Sequence, residues 1–162
     1  MLVSIDPGKS GAYAKFSYDG QLVETLKVKV PPKQRLFGST ECALLEDFLQ
    51  DVTIVVMESF LDHGLKKQSS IATNTTACNH GIQQGVIRTA NNAMRLEIVE
   101  PKVWKRQMGL IRKDKKESCV LATKLVGKQW LRKPRMKVDN VDIAEAILIG
   151  IAWGREELQW TI

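Results

Sequence analysis

The stretch Val3-Ser4-Ile5-Asp6-Pro7-Gly8-Lys9-Ser10-Gly11 decides how the rest of the chain is read. A short apolar run reaches a single acid, Pro7-Gly8 turns the chain, and a second alternating run starts at Ala12. The pattern predicts a strand ending on a carboxylate and a tight turn into an antiparallel partner. Tyr18-Asp19-Gly20 carries an Asp-Gly hairpin signal between Ala12–Tyr18 and a third strand, Leu22–Val30, which alternates from Leu26 and is closed by Pro31-Pro32. Thr53–Met57 is short and solidly apolar, the pattern of a strand buried on both faces, and it ends at Glu58. In an α/β sheet two such strands can lie side by side, and sites form at their carboxyl ends. Asp6 and Glu58 are therefore candidates for one site.

The remaining pattern is mostly helical. Ser39 or Thr40 is placed to cap a helix with Leu44, Leu45, Phe48 and Leu49 inward. Ser59–Lys67 reads as a loop, Ser69–Asn91 as a long helix rich in small and polar residues, and Leu96–Val99 as a fifth strand. Pro101 starts a short helix carrying Val103, Trp104 and Met108, which Gly109 ends. Asp114–Val126 follows with Val120, Leu121 and Leu125 inward, then a basic connector, Gly127–Val138. The last helix, Asn140–Leu158, has Ile143, Ala146, Ile147, Gly150 and Ile151 on its apolar face.

At 162 residues the chain is read as a single domain, 1–162, large enough for a core. The longest apolar run, Ile143–Trp153, is broken by Glu145, which argues against a membrane protein. Met1 leads straight into a strand pattern, so no signal peptide is expected. Cys42, Cys78 and Cys119 are odd in number and far apart, as reduced thiols of a cytoplasmic protein would be, and no Cys/His spacing suits zinc. The net charge of +6 is unevenly distributed: Pro101–Lys137 holds 13 Lys/Arg and 2 Asp/Glu, a local +11 against −5 elsewhere. A basic segment on a mildly acidic body suits a polyanion partner, most simply nucleic acid, and equally a solvated basic loop and helix face.

The last helix opens with Asp139-Asn140-Val141-Asp142, which places two carboxylates on one side of its first turn. Taken alone, Asp139 reads as a helix cap with a second acid against the dipole. Together with Asp6 and Glu58, the pair completes the inventory of a hard divalent-cation site. Two such ions about 4 Å apart activate water and stabilise the leaving oxygen of a phosphodiester. Basic residues beside them would hold the backbone.

These residues resemble the RuvC family of Holliday junction resolvases. The resemblance lies in Ile5-Asp6-Pro7-Gly8, in Ile54–Met57 ending at Glu58, and in Asp139-x-x-Asp142 followed by apolar Ile143–Ile149. Gly81-Ile82-Gln83-Gln84-Gly85-Val86 resembles the family's interface helix, and Pro101–Gly109 with the Lys-rich lead into Glu117-Ser118 its DNA-binding half. The compact length is similar to phage-encoded members, which act in the bacterial cytoplasm. The resemblance implies an α/β, ribonuclease H-like fold with a central mixed five-stranded sheet flanked by helices. It implies a homodimer, two Mg²⁺ or Mn²⁺ ions per active site, and paired nicks in four-way DNA junctions. Asp6, Glu58, Asp139 and Asp142 take the places of the metal-binding acids.

The resemblance places backbone contacts at Lys105, Lys115 and Lys116; Lys9 is either a solvated turn lysine or in reach of a phosphate, and Lys66 and Lys67 flank the loop where they could touch the opposite strand. The family's aromatic wedge position holds Leu61, with Phe60 one residue earlier either as the wedge or packed on the long helix. Glu145 is expected behind the metals or at the surface, and His63 in the loop near the site. Other readings are a ribonuclease H-like nuclease of forks, flaps or duplex, and a catalytically silent junction-binding protein. Asp6-Pro7-Gly8 before a hairpin also resembles the phosphate loop of actin-like kinases, which need two such domains and a longer chain.

Overall fold

The computed structural model describes residues 1–8, 11–60, 70–90, 94–131 and 139–162. Five strands, β1 (Leu2–Asp6), β2 (Ala12–Phe16), β3 (Leu22–Lys27), β4 (Ile54–Glu58) and β5 (Arg95–Val99), form one sheet in the order β3-β2-β1-β4-β5. The pairs β1/β2 and β2/β3 are antiparallel hairpins; β1/β4 and β4/β5 are parallel. Parallel neighbours need crossovers. Here these run through α1 (Ser39–Phe48) and α2 (Ser70–Ala90). After β5 come α3 (Pro101–Gln107), α4 (Lys115–Val126), a 3₁₀ turn at Lys128–Trp130, and α5 (Val141–Glu157).

The period-2 alternation of the strands sorts the core into two layers. Leu2, Ala12, Ala14, Phe16 and Val56 face α5, whereas Val3, Ile5, Tyr13, Val55 and Met57 face Leu45, Phe48 and Leu49 of α1 and Val86 and Ile87 of α2. β1 is buried on both faces, as a central strand must be. Helix α5 is buried on all sides from Ile143 to Gly154, more completely than a single apolar stripe predicts. The Ser4 hydroxyl on β1 donates to the Ala146 carbonyl at 2.6 Å. Helix and sheet approach so closely at Gly150 that a Cβ there would lie 2.5 Å from the Phe16 ring and 2.6 Å from Ser4 Oγ. Gly150→Ala is accordingly expected to lower unfolding stability by about 1–3 kcal/mol, read from urea titration.

Several boundaries and faces differ from the sequence reading. β2 stops at Phe16 because Ser17–Gln21 closes a turn, with Gly20 at φ +88 and its N–H on the Ser17 carbonyl. β3 stops at Lys27; Val28 and Val30 remain buried beyond the paired segment. Gly38, not Ser39 or Thr40, is the cap of α1, and its N–H donates to Glu41 Oε2 at 2.9 Å. Leu44 and Val120 point outward, at 47% and 63% exposure. On α4 the buried residues are Ser118, Cys119 and Ala122, so that helix meets α5 through small side chains and its larger Val120 turns away. The three cysteines are free thiols. No helix among the described residues is long and apolar enough to cross a membrane.

Candidate active site

β1 and β4 are parallel, with Leu2 opposite Ile54 and Ser4 opposite Val56. Continued by one more pair of residues, that register sets Asp6 beside Glu58, and alternation points both toward α5, where Leu2 and Val56 already point. Both carboxylates are buried, at 9% and 2% exposure. Burial raises the Asp6 carboxyl to about 7, and the negative charges of Glu58, Glu145 and Asp142 push it the same way, against a weaker lowering by the Gly8 N–H 3.3 Å from Oδ1. Glu58 Oε1 accepts the indole N–H of Trp104 on α3 at 2.9 Å.

At the start of α5, Asn140 is the cap: its Oδ1 accepts from the backbone N–H groups of Asp142 (3.1 Å) and Ile143 (3.2 Å). The reading of Asp139 as the cap is therefore corrected, and its carboxylate is not needed for that task. Burial raises the Cys119 thiol, and Asp139, Glu145 and Asp142 raise it further, so α4 packs under the same negative cluster. Glu145 is no surface residue; it is 6% exposed and within the electrostatic reach of Asp6.

Two lysines face this cluster. Lys27 Nζ lies 2.5 Å from Asp142 Oδ2, and Lys105 Nζ lies 3.5 Å from Glu145 Oε1. Among the described residues no three His, Cys, Asp or Glu side chains close on a common ligating point. The acids are gathered, with Glu58 held by Trp104 and Asp142 by Lys27, but they do not form a finished cage. The donor set nevertheless fits a hard cation, being all carboxylate oxygen. The electrostatics fit as well: among the described residues, Glu58, Glu145 and Asp142 all act on Asp6 with negative charge, which a divalent ion would offset.

The turn after Asp6 is held from the opposite side of the sheet. Gln83 of α2, fully buried, donates from Nε2 to the Pro7 carbonyl at 3.1 Å and accepts the Tyr13 hydroxyl on Oε1 at 2.7 Å. One helix turn away, buried Asn79 accepts the Phe37 N–H at 2.8 Å and donates to the Arg35 carbonyl at 3.2 Å. Gln83→Ala would orphan a buried hydroxyl and a buried carbonyl. A loss of about 2–4 kcal/mol is expected, with a lowered melting temperature by calorimetry.

The DNA-contact residues fall into three groups. Lys105 is drawn into the site, its ammonium 5.0 Å from the Trp104 ring centre and paired with Glu145. Lys115 and Lys116 open α4 and are exposed, in line with Lys102, Arg106, Arg112 and Lys113 on the surface around them. Lys9, His63, Lys66, Lys67 and Leu61 lie outside the described residues. Phe60 is half-buried, its ring 6.3 Å from that of His80, so it packs on α2 as the second of its two readings has it.

Sequence reasoning missed the roles of Lys27, Trp104 and Gln83. Lys27 reads as the solvent side of a half-buried edge strand, and only the packing of α5 over that face reveals it. Trp104 reads as core, which it is, with its N–H turned to Glu58. Gln83 stood in the quoted interface motif, but nothing local marked it as the polar residue turned inward.

No family model matches the chain, and no curated protein is similar to it in sequence. Solved structures do match. A Thermus thermophilus RuvC in complex with Holliday junction substrate superposes with a TM-score of 0.69 at 14% identity, over 96% of this chain and 95% of that one. Another Thermus thermophilus RuvC structure gives 0.63 at 14% identity, over 98% and 96%. The fowlpox virus resolvase with its Holliday junction DNA gives 0.56 at 19% identity, over 96% and 99%. The fold is therefore the five-stranded mixed, ribonuclease H-like one of the RuvC type.

Proposed function

We propose that this protein is a divalent-metal-dependent endodeoxyribonuclease that resolves four-way and other branched DNA junctions by paired nicks. The observation that carries the reading is the buried, mutually repelling carboxylate cluster around Asp6 and Glu58 at the carboxyl ends of adjacent parallel strands. The exposed cations of α3 and α4 support a DNA substrate, as does the shared fold with two junction-bound resolvases. Asp6, Glu58, Asp139 and Asp142 would hold Mg²⁺ or Mn²⁺, two ions per site. Bound there, the metal supplies Lewis acidity for in-line attack of water on phosphorus and for departure of the 3′ oxygen, which leaves a 5′ phosphate.

The chain's own residues do the positioning. Trp104 fixes the orientation of the Glu58 carboxylate, and Gln83 fixes the turn that carries Asp6. Lys105, 3.5 Å from Glu145, would bind a backbone phosphate approaching the acids, and Lys9, Lys66, Lys67, Lys115 and Lys116 would extend the contact along the DNA. Two sites are needed to cut strands of like polarity, so the working unit is a homodimer. Ala77, Cys78, Gly81 and Gly85 form an exposed stripe on α2, and a Cβ at either glycine would meet nothing, which leaves room for a close helix approach.

The test is a panel of synthetic four-way junctions, forks, flaps and duplexes with and without Mg²⁺. Symmetric nicks confined to junctions are expected only with the metal. Preferential cutting of forks or flaps would reassign the substrate. Binding without products would make the protein a junction binder.

A further inference from the structure

A second feature adjoins the acid cluster and plays no part in the chemistry just described. Between the sheet edge at β3 and the start of α5 lies a cleft of about 280 Å³. Thr25, Lys27 and Lys29 line it on the strand side, and Trp130, Leu131 and Asn140 on the other. Leu131 is buried, Trp130 half-buried and Lys29 exposed, so an apolar floor, an indole side chain and two lysines line one cleft. Lys27 belongs to both places. Its side chain is only 11% exposed and ends 2.5 Å from Asp142, so the cleft and the acid cluster share that wall.

The composition narrows the occupant. An aliphatic ligand has no use for two lysines, and a simple anion has no use for an indole. A planar ring joined to a phosphate uses both. The volume, at the low end for ligand pockets of about 300 Å³ and upward, suits one nucleotide and excludes a duplex. Base stacking on an aromatic side chain with the phosphate on a nearby cation is how single-stranded nucleic acid is held without reading its sequence. We propose that the cleft takes one unpaired nucleotide of the strand that passes the acid cluster, its base against Trp130 and its phosphate on Lys27 and Lys29. This rests on the nuclease reading in that the strand must thread from the acids past Lys27.

The test uses the full-length protein and two readouts. The first is tryptophan fluorescence on titration with a short thymidine oligonucleotide without metal. Trp104, Trp153 and Trp160 are at most 7% exposed, so quenching reports Trp130. Wild type is expected to quench; with affinities read from the anisotropy of a dye-labelled oligonucleotide, Trp130→Ala and Lys29→Ala should each bind about tenfold or more weakly, and Trp130→Phe should keep most of the affinity. The second is Mg²⁺-dependent cleavage of junctions carrying an abasic residue next to the cut. The missing base should slow wild type about tenfold and leave Trp130→Ala no slower than on intact DNA.

Absence of quenching, or equal oligonucleotide affinity for wild type and all three variants, overturns the proposal. So does an abasic penalty that Trp130→Ala retains in full. If cutting is lost on every substrate while quenching persists, the nuclease reading fails and the cleft stands. If cutting is normal and quenching absent, the reverse holds. Lys29→Ala and Trp130→Phe change an exposed residue and a ring of similar shape, so a failure of Trp130→Ala to fold still leaves the oligonucleotide affinities decisive.

Discussion

Asp6→Asn and Glu58→Gln are each expected to leave a folded protein that binds four-way junctions and to reduce Mg²⁺-dependent cleavage by on the order of a thousandfold or more. Both substitutions keep the shape of the side chain. In Glu58→Gln the amide still presents an oxygen to the Trp104 indole N–H, now 2.9 Å from Glu58 Oε1, and in Asp6→Asn the amide presents one to the Gly8 N–H. What disappears is one negative charge in a buried cluster whose purpose in this reading is to attract cations. Binding is expected to survive because the proposed contacts to the DNA backbone come from lysines and not from the acids. Asp139→Asn and Asp142→Asn are expected to follow, Asp142→Asn also releasing Lys27 from its 2.5 Å contact. Gel assays of nicking and of junction binding in Ca²⁺ separate the two effects. Two or more of the four variants cutting at the wild-type rate in Mg²⁺ would remove the site assignment.

The second large effect is on stability, and it has the opposite sign. Asp6 titrates at about 7 in the folded chain against an ordinary 3.8, so the native state holds its proton over a range where the unfolded chain has lost it. For such a group stability is greatest below the unfolded value, falls as pH rises from about 4 to about 7, and is level above. The interval corresponds to about 4 kcal/mol as an upper limit for the metal-free protein. Asp6→Asn carries no such charge. It is therefore expected to be more stable than wild type at pH 8 in EDTA, by about 2–4 kcal/mol, and nearly equal to it at pH 4. Mg²⁺ at pH 8 should stabilise wild type and leave Asp6→Asn much less affected. Urea unfolding at the two pH values, with EDTA or Mg²⁺, makes the measurement; an equal pH dependence in wild type and variant would contradict it. The inactive protein being the more stable one is the mark of a strained functional site.

Most of the sheet was legible because strand signals are local. Leu2–Asp6 is a short apolar run that reaches an acid and a Pro-Gly turn, and Ile54–Met57 has no polar residue to place on any surface. The strand ends were less legible. Tyr18 alternates like a strand residue, but the backbone hydrogen bonds of Ser17–Gln21 go to the turn instead. Helical faces failed where small residues face the core. Leu44 and Val120 look like core on a helical wheel, yet close packing against neighbours selects Ser118, Cys119 and Ala122 on α4. Asp139 was read as a cap because an Asp before an apolar helix is normally one. The chain places an asparagine at the next position, and that residue performs the task.

Residue order alone supplied the inventory: two apolar strands that end in acids, an acid pair at a helix start, and a +11 segment between Pro101 and Lys137. These are short-range facts, and from them come the candidates Asp6, Glu58, Asp139 and Asp142. What surrounds the acids was settled by packing in three dimensions. The parallel register of β1 and β4 sets Asp6 beside Glu58, and the cover of α5 makes that end of the sheet dry enough to raise Asp6 to about 7. Lys27, Trp104, Gln83 and Glu145 reach the site or its turn from four different elements, 115 residues separating Lys27 from its partner Asp142. Such contacts depend on which face of each element the packing covers, and no window of sequence contains that information.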